Sequence, residues 1–247
     1  MMRRVLAAVS GAGASLGCSA AWAAPVFSAP GIQVNAGGAD VSLALKVLLG
    51  LTVLSLAPAI LVSMTAFIRI AIVLSMLRHA LGMQETPPNT VIVSLALFLT
   101  LFTMAPVLQK VNQDALQPYL AGKLAPDRAA SGGIAPLRDF MVRQTREPDL
   151  ALMVELAKAE QPATVDDISL VQLIPAFMLS ELRAAFQIGF VIFLPFLLVD
   201  LIVSSALMAL GMMMVPPASI SLPLKILLFV LMDGWSLVVR ALLGTFA

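Results

Sequence analysis

Ionisable side chains within apolar stretches are the residues of this sequence best suited to chemistry. Six of them lie inside or beside long apolar runs: Arg69, Glu181, Arg183, Asp200, Lys225 and Asp233. A charge that faces lipid is costly, so each group requires an ion partner, an aqueous path or a subunit contact. Transporters usually gather acidic groups at one midplane site, whereas these six are scattered and carry both signs. The pattern favours structural ion pairs, and an ion or small-solute transporter that uses Asp200 and Asp233 is the alternative.

Metal, thiol and nucleophilic chemistry find little support in the composition. One cysteine, Cys18, and one histidine, His79, are too few for a disulfide framework, a zinc site or a Cys–His pair. No nucleophile–base pair and no glycine-rich phosphate loop is recognisable. The net charge of +1 provides no basic surface for nucleic acid. We therefore expect that the protein is not an enzyme and binds no cofactor, metal or nucleic acid.

Three consecutive methionines, Met212, Met213 and Met214, follow a glycine and precede two prolines. A turn flanked in this way normally favours polar side chains. Methionine usually fills gaps in a hydrophobic core. That role would explain a single methionine at this turn, but it explains three in a row less well. The unbranched thioether adapts to varied surfaces, so the run predicts a flexible apolar plug that yields to different partners.

Hydropathy defines the elements that must position these residues. Hydrophobic residues make up 60% of the 247-residue chain and charged residues only 12%, far from the roughly 25% charged residues of soluble domains. Apolar runs cover residues 41–77, 91–108, 186–210 and 220–243. They are too long for strands and lack two-residue alternation. The sequence predicts an all-α polytopic membrane protein with four long apolar helical segments and a Pro-kinked helical hairpin in the C-terminal half.

The first apolar run is longer than a membrane crossing requires. As a single helix, residues 41–77 would extend roughly 55 Å at 1.5 Å per residue, whereas a bilayer core is about 30 Å thick. Pro58 and Arg69 interrupt its apolar character. We expect one span with a helical extension.

Most charged residues of the chain lie between the second and third apolar runs. Helical spacing with mixed charge occurs over residues 137–146 and 150–160, while Gly132, Gly133 and several prolines indicate loops. These features predict a small solvated helical insert.

The N-terminus has the pattern of a secretory signal peptide. A basic start, Arg3-Arg4, is followed by small apolar residues and by Ala21-Trp22-Ala23, which predicts cleavage after Ala23. A retained membrane anchor is the alternative. The following residues up to position 40 contain no lysine or arginine and predict a flexible tail.

Five regions follow from these patterns. They are a signal peptide (1–23), a flexible extracytoplasmic tail (24–40), a first helical hairpin (41–108), a polar extracytoplasmic insert (109–169) and a second helical hairpin with the Met-rich loop (170–247). The positive-inside rule places the turn after Arg78 in the cytoplasm, and therefore places the mature N-terminus and the insert outside.

Several segments resemble a known family. Residues 175–190, PAFMLSELRAAFQIGF, and residues 195–201, PFLLVDL, resemble the two signatures of the flagellar biosynthetic protein FliP family. The MMMVPP segment at 212–217 and the TPPN turn at 86–89 are also similar to that family. The resemblance covers essentially the whole mature chain. The homologous subunit of virulence (injectisome) secretion is the alternative, and the signal peptide and extended tail favour the flagellar member.

The resemblance implies a function in protein export. Proteins of this family form a homopentameric ring that, with FliQ-like and FliR-like membrane subunits, makes the export gate of flagellar type III secretion. Unfolded flagellar proteins pass through it, and it works beside other membrane proteins of the export apparatus. The implied location is the bacterial inner membrane at the flagellar basal body.

The resemblance also implies roles for particular residues. Met212, Met213 and Met214 correspond to a pore gasket, and Phe193 corresponds to a constriction of the lumen. Glu181 and Lys225 correspond to an ion pair between subunits. The remaining charges in apolar segments, Arg69, Arg183, Asp200 and Asp233, are then expected to serve structure or assembly.

Overall fold

The computed structural model describes residues 40–83, 85–158, 164, 167–212 and 214–246, and the regular elements within these residues are all helical. The prediction of an all-α chain is therefore confirmed. The predicted signal peptide, its cleavage site at Ala23, the tail up to residue 39 and Met213 lie outside the described residues. The chain divides into two compact units, residues 1–50 and residues 51–247, and the site discussed below belongs to the second.

Nine α-helices and one π-helical turn are assigned in the described residues. In chain order they are α1 (Asp40–Met64), α2 (Phe67–Ala80), α3 (Asn89–Val111), the π-helical turn (Asn112–Leu116), α4 (Gln117–Leu120), α5 (Pro126–Gln144), α6 (Glu147–Leu156), α7 (Leu170–Ala209), α8 (Pro217–Leu231) and α9 (Gly234–Gly244).

Two helical stretches in the described residues are long and apolar enough to cross a membrane without a break. They are Asn89–Leu120, which contains α3, and α7. Two further pairs are bent, by 68° between Gly50–Met64 and α2 and by 67° between α8 and α9. If each bent pair is one span, the described residues contain up to four spans, as the four apolar runs predict.

The break in the first apolar run lies at Thr65 and Ala66, between α1 and α2. The Thr65 hydroxyl donates to the carbonyl oxygen of Leu61 and accepts a hydrogen bond from the amide of Phe67 at 3.4 Å. One side chain thus bonds backbone groups on both sides of the bend, which is how threonine competes with continuous helix. The sequence predicts that one helix would be too long, and the structure shows where it bends.

Helix α7 begins 16 residues before the predicted third span and contains 40 residues, a length of about 60 Å. A capping box between Ser169 and Gln172 fixes its start. Buried residues are denser in its first half, where Leu173, Phe177 and Ala185 pack, and most later apolar side chains are exposed. Because 60 Å is about twice the bilayer core, part of α7 must extend beyond the hydrocarbon.

The interpretation of Gly132 and Gly133 as loop residues was wrong, because both lie inside α5. A Cβ at Gly132 would stand 3.3 Å from the carbonyl oxygen of Asp114, so the missing side chain lets α5 approach the π-helical turn. This tertiary contact overrides the low helix propensity of glycine, about 1 kcal/mol per residue relative to alanine. Helix α5 therefore starts 11 residues before the predicted position 137.

Two hydrophobic clusters hold the second unit together. The larger one joins α2, α3, α5 and α7 around Ile70, Val73, Phe140 and Phe177, and it includes Leu242 of α9. The smaller one joins the end of α2 to α7, α8 and α9 through residues such as Leu77, Phe196, Phe229 and Val238. Helices α5 and α6, which belong to the polar insert, pack on α7, so the insert and the apolar helices share one core.

Candidate functional site

A buried ion pair joins α2 to α7. Arg69 is 4% exposed and Glu181 is fully buried. The Arg69 Nε donates to one carboxylate oxygen of Glu181 at 2.8 Å, and its Nη2 donates to the other oxygen, which makes the pair bidentate. This geometry matches the planar fork of the guanidinium to the carboxylate and gives strong charge-assisted hydrogen bonds.

The remaining donors of Arg69 are satisfied by two other parts of the chain. Nη2 donates to Oε1 of Gln144 at 3.1 Å, and Nη1 donates to Oγ1 of Thr245 at 3.0 Å. The Phe246 ring lies over the guanidinium, with its centroid 4.0 Å from Cζ. A buried charge pair is stable only when the surplus donors also find partners, and here they do. Arg69 thus connects α2, α5, α7 and the residues that follow α9.

A second polar cluster fixes α6 on α7. The Ser180 hydroxyl donates to Oδ2 of Asp149 at 2.8 Å and accepts from the backbone amide of Arg146 at 3.0 Å. The guanidinium of Arg183 lies 3.3 Å from the other oxygen of Asp149. Asp149 is buried, whereas the Arg183 side chain is 53% exposed. Arg183 thus pairs with Asp149 where α6 meets α7, and its role in structure or assembly stays a prediction.

A third ion pair connects the two helices that flank the methionine run. Lys225 of α8 donates from Nζ to Oδ2 of Asp200 of α7 at 2.6 Å and to the carbonyl oxygen of Ala80 at 3.3 Å. The Lys225 side chain is 8% exposed and that of Asp200 is 40% exposed. The pair fixes the α7–α8 hairpin to the end of α2.

Asp233 has a backbone role. It is exposed, has a φ of 48° and occupies the N-cap of α9 in the left-handed region. Aspartate enters this region more readily than most non-glycine residues. Asp233 lies at the bend between α8 and α9.

Glu181 and Lys225 do not meet within one chain. Their partners are Arg69 and Asp200, respectively. A contact between these two residues in neighbouring subunits stays a prediction.

The α7–α8 loop exposes Met212 and Met214. Gly211 has a φ of 72°. Its amide donates to the carbonyl oxygen of Met208, and the next amide, that of Met212, donates to the carbonyl oxygen of Leu207 at 3.0 Å. This is a Schellman motif, which ends α7 with a glycine in the left-handed conformation. Beyond it, Met212 is 42% exposed and Met214 is 96% exposed. Large apolar side chains at a helix-hairpin tip are suited to contact another surface.

Phe193 lies in the middle of α7 and is half-buried, packed against the smaller hydrophobic cluster. This environment leaves part of the ring accessible, and a role in a lumen stays a prediction.

Sequence reasoning missed several partners that complete the polar clusters. They are Gln144, Asp149, Ser180, Thr245 and Phe246. Only Ser180 carried a usable signal, because it lies next to Glu181 in the longer signature segment. The others are separated in sequence from the charges they contact.

A sequence profile of the FliP family matches residues 50–242, which is most of the chain and includes all three ion pairs and the methionine loop. The chain belongs to the FliP family. Three FliP relatives show how far the similarity extends.

The chain is 52% identical over 207 residues to the flagellar biosynthetic protein FliP of Bacillus subtilis, covering 84% of this chain and 94% of the relative. It is 50% identical over 210 residues to FliP of Pectobacterium carotovorum, covering 85% and 81%. It is 48% identical over 217 residues to FliP of Caulobacter vibrioides, covering 87% and 82%. Its FliP family and its apolar helices identify a membrane protein of flagellar biosynthesis and export.

Proposed function

We propose that this chain is a subunit of the gate of flagellar type III export, and that five copies form a ring through which unfolded flagellar proteins pass. The observation that carries the proposal is the exposed methionine loop, with Met212 and Met214 presented by a hairpin that the Lys225–Asp200 pair holds in place. In a ring of copies, the loops would meet around the path of the exported chain.

The chemistry of methionine suits such a gate. A gate must close against ions and still admit many different unfolded sequences. Methionine side chains have three rotatable bonds and a polarisable sulfur, so they repack around varied shapes, while β-branched residues are stiff at χ1. A ring of apolar side chains that closes on itself also excludes water, which is how hydrophobic constrictions block ion flow.

The proposed partners are FliQ-like and FliR-like membrane subunits, together with the other membrane proteins of the export apparatus and the exported chains themselves. The proposed location is the inner membrane at the flagellar basal body, with the mature N-terminus extracytoplasmic. The flagellar names of the three relatives favour this assignment over the virulence secretion system. Purification of a tagged chain from membranes would test the partners directly, and absence of FliQ-like and FliR-like proteins would count against them.

Phe193 and the Glu181–Lys225 contact complete the proposal. Phe193 would narrow the lumen from the middle of α7. In the assembled ring, Glu181 or Lys225 would contact the neighbouring subunit in addition to, or in exchange for, the partner that it has within the chain.

The gasket is tested by replacing Met212, Met213 and Met214 with alanine together. We expect greater ion leak across the membrane, measured as conductance or as sodium sensitivity of growth, with unchanged recovery of the complex. The matched control is Met208→Ala, which removes another exposed methionine, at 64% exposure, from inside α7. Unchanged conductance in the triple variant, or an equal leak in the control, contradicts the gasket.

A further inference from the structure

Two adjoining cavities along α7, which together we call the groove, differ in polarity. The polar end of the groove has a volume of about 290 Å³ and its apolar end a volume of about 340 Å³. Ile188 and Thr245 line both ends, so the two ends lie next to one another. Volumes of roughly 300–1,000 Å³ are typical of sites that bind small molecules.

Helix periodicity explains why the two ends lie along the same side of α7. Helix α7 lines the polar end with Ser180, Ala184, Gln187 and Ile188. It lines the apolar end with Ile188, Val191, Ile192, Pro195 and Phe196. Spacings of three and four residues place all of these positions on one face of a helix. The α9 side runs in the opposite direction, from Thr245 at the polar end to Gly234 at the apolar end.

The polar end has the charge of an anion site. Arg69, Arg146, Gln144 and Gln187 line it, and no acidic side chain does so in the described part of the chain. Arg69 is engaged by Glu181, whose carboxylate is fully buried and does not line the cavity. Arg146 is exposed, and its guanidinium has no ion pair among the described residues. Within the described ranges, the positive charge of Arg146 therefore has no acidic partner and is available to a ligand.

The apolar end has the length of a hydrocarbon chain. Ile188 and Phe196 are eight residues apart in α7, which corresponds to about 12 Å at 1.5 Å per residue. The hydrocarbon of one bilayer leaflet is about 15 Å thick, half of about 30 Å. An acyl chain has no polar groups to satisfy. A non-helical peptide would bring backbone N–H and C=O groups into the apolar end. Thr245 is the one polar side chain among the described residues that line it. Burying those backbone groups without hydrogen-bond partners is costly.

We infer that this groove binds an anionic membrane phospholipid. The phosphate headgroup contacts Arg146 at the polar end, beside Arg69 and Gln144, and one acyl chain lies between α7 and α9. The inference concerns a single copy of the chain and does not depend on ring formation or on the passage of exported proteins.

The test is native mass spectrometry of the full chain purified in non-ionic detergent and titrated with phosphatidylglycerol. We expect saturable binding of one lipid per chain, with weaker binding of phosphatidylcholine, whose headgroup has no net charge. Inorganic phosphate at the same concentration should not displace the lipid, because it gains nothing from the apolar end. Displacement by phosphate would instead assign the site to a free anion and overturn the inference.

Two variants probe the two ends separately. Arg146→Gln should weaken phosphatidylglycerol binding by roughly tenfold, the loss expected for one charge-assisted hydrogen bond. Its control, Arg143→Gln, removes an exposed arginine of α5 that does not line the groove, and binding should not change. Ala241→Phe should fill the apolar end and abolish binding, while Ala206→Phe, on an exposed part of α7 outside the groove, should not.

Folding is checked by the thermal unfolding midpoint without lipid, which both groove variants should retain. Binding that persists unchanged in folded Arg146→Gln and Ala241→Phe proteins overturns the inference. So does efficient cross-linking of a cysteine at Val191 to a second copy or to another protein in native membranes, because that result places a protein chain in the groove.

Discussion

The charge of Arg69 is balanced by one buried carboxylate, so its removal has a calculable cost. Arg69→Met would leave the Glu181 carboxylate buried without a counter-charge. Loss of one partner of a buried pair typically costs about 3–5 kcal/mol. We expect a free energy of unfolding lower by that amount, measured by denaturant titration in detergent.

Two further variants show whether this cost comes from the unpaired charge. Arg128→Met removes an exposed arginine of α5 and should change stability by less than about 0.5 kcal/mol. The double variant Arg69→Met with Glu181→Met removes both charges and should recover most of the loss. Wild-type stability in Arg69→Met would show that the pair contributes little.

Asp200 separates the structural hypothesis from the transport hypothesis. Asp200→Asn leaves the buried Lys225 ammonium without its carboxylate, so we expect less protein in membranes and poorer co-purification of tagged copies. Asp233→Asn is the matched control, because asparagine also tolerates the left-handed backbone found at that position. Normal assembly of Asp200→Asn with loss of solute or ion movement would support a transporter instead.

The need for partners could be predicted from the sequence, but the identity of the partners could not. Apolar surroundings indicate that Arg69 and Asp200 must be paired. Glu181 is 112 residues from Arg69, and Lys225 is 25 residues from Asp200 in the next helix. Such pairings depend on how the helices pack against one another. The hydrophobic periodicity of one sequence does not show which helices pack together. The resemblance located Glu181 and Lys225 as important residues and assigned them a partner in another subunit.

The packing of α2 against α7 depends on a glycine. A Cβ at Gly189 would overlap the sulfur of Met76, so Gly189→Ala requires that methionine to move. We expect a stability loss of about 1–3 kcal/mol, as for overpacked cores. Thermal unfolding of the purified chain would measure it.

The compensating variant identifies the cause. Met76→Ala should restore stability to Gly189→Ala, because it frees the space that the added methyl group needs. Gly244→Ala, where an added Cβ meets nothing within 4 Å, should be neutral. Failure of Met76→Ala to compensate would point to a backbone effect of Gly189 instead.

Helix existence was predictable, and helix boundaries were less so. The long apolar runs required helices, because strands of that length are not found. The bend at Thr65 depends on one hydroxyl that bonds in both directions, and α5 continues through Gly132 because the π-helical turn packs beside it. Both are local outcomes of side-chain or tertiary contacts that composition alone does not reveal.

At the scale of the whole molecule, the positive-inside rule predicts which side each loop occupies. The single cysteine lies at position 18, so a Cys18→Ser chain provides a clean background for labelling. In spheroplasts, a membrane-impermeant maleimide should label Ser131→Cys in α5. It should label Thr90→Cys, at the start of α3, only after the membrane is opened. The reverse pattern would invert the proposed topology.

The contacts of Arg69 also constrain the order in which the protein matures during synthesis. Glu181 leaves the ribosome 112 residues after Arg69, which takes about 6–22 s at roughly 5–20 residues per second. Thr245 follows 176 residues after Arg69. Until Glu181 emerges, the guanidinium lacks the carboxylate that balances its charge, and placing an unpaired arginine in hydrocarbon is costly. We therefore expect α2 to stay at the membrane surface, or with an insertion factor, until α7 arrives.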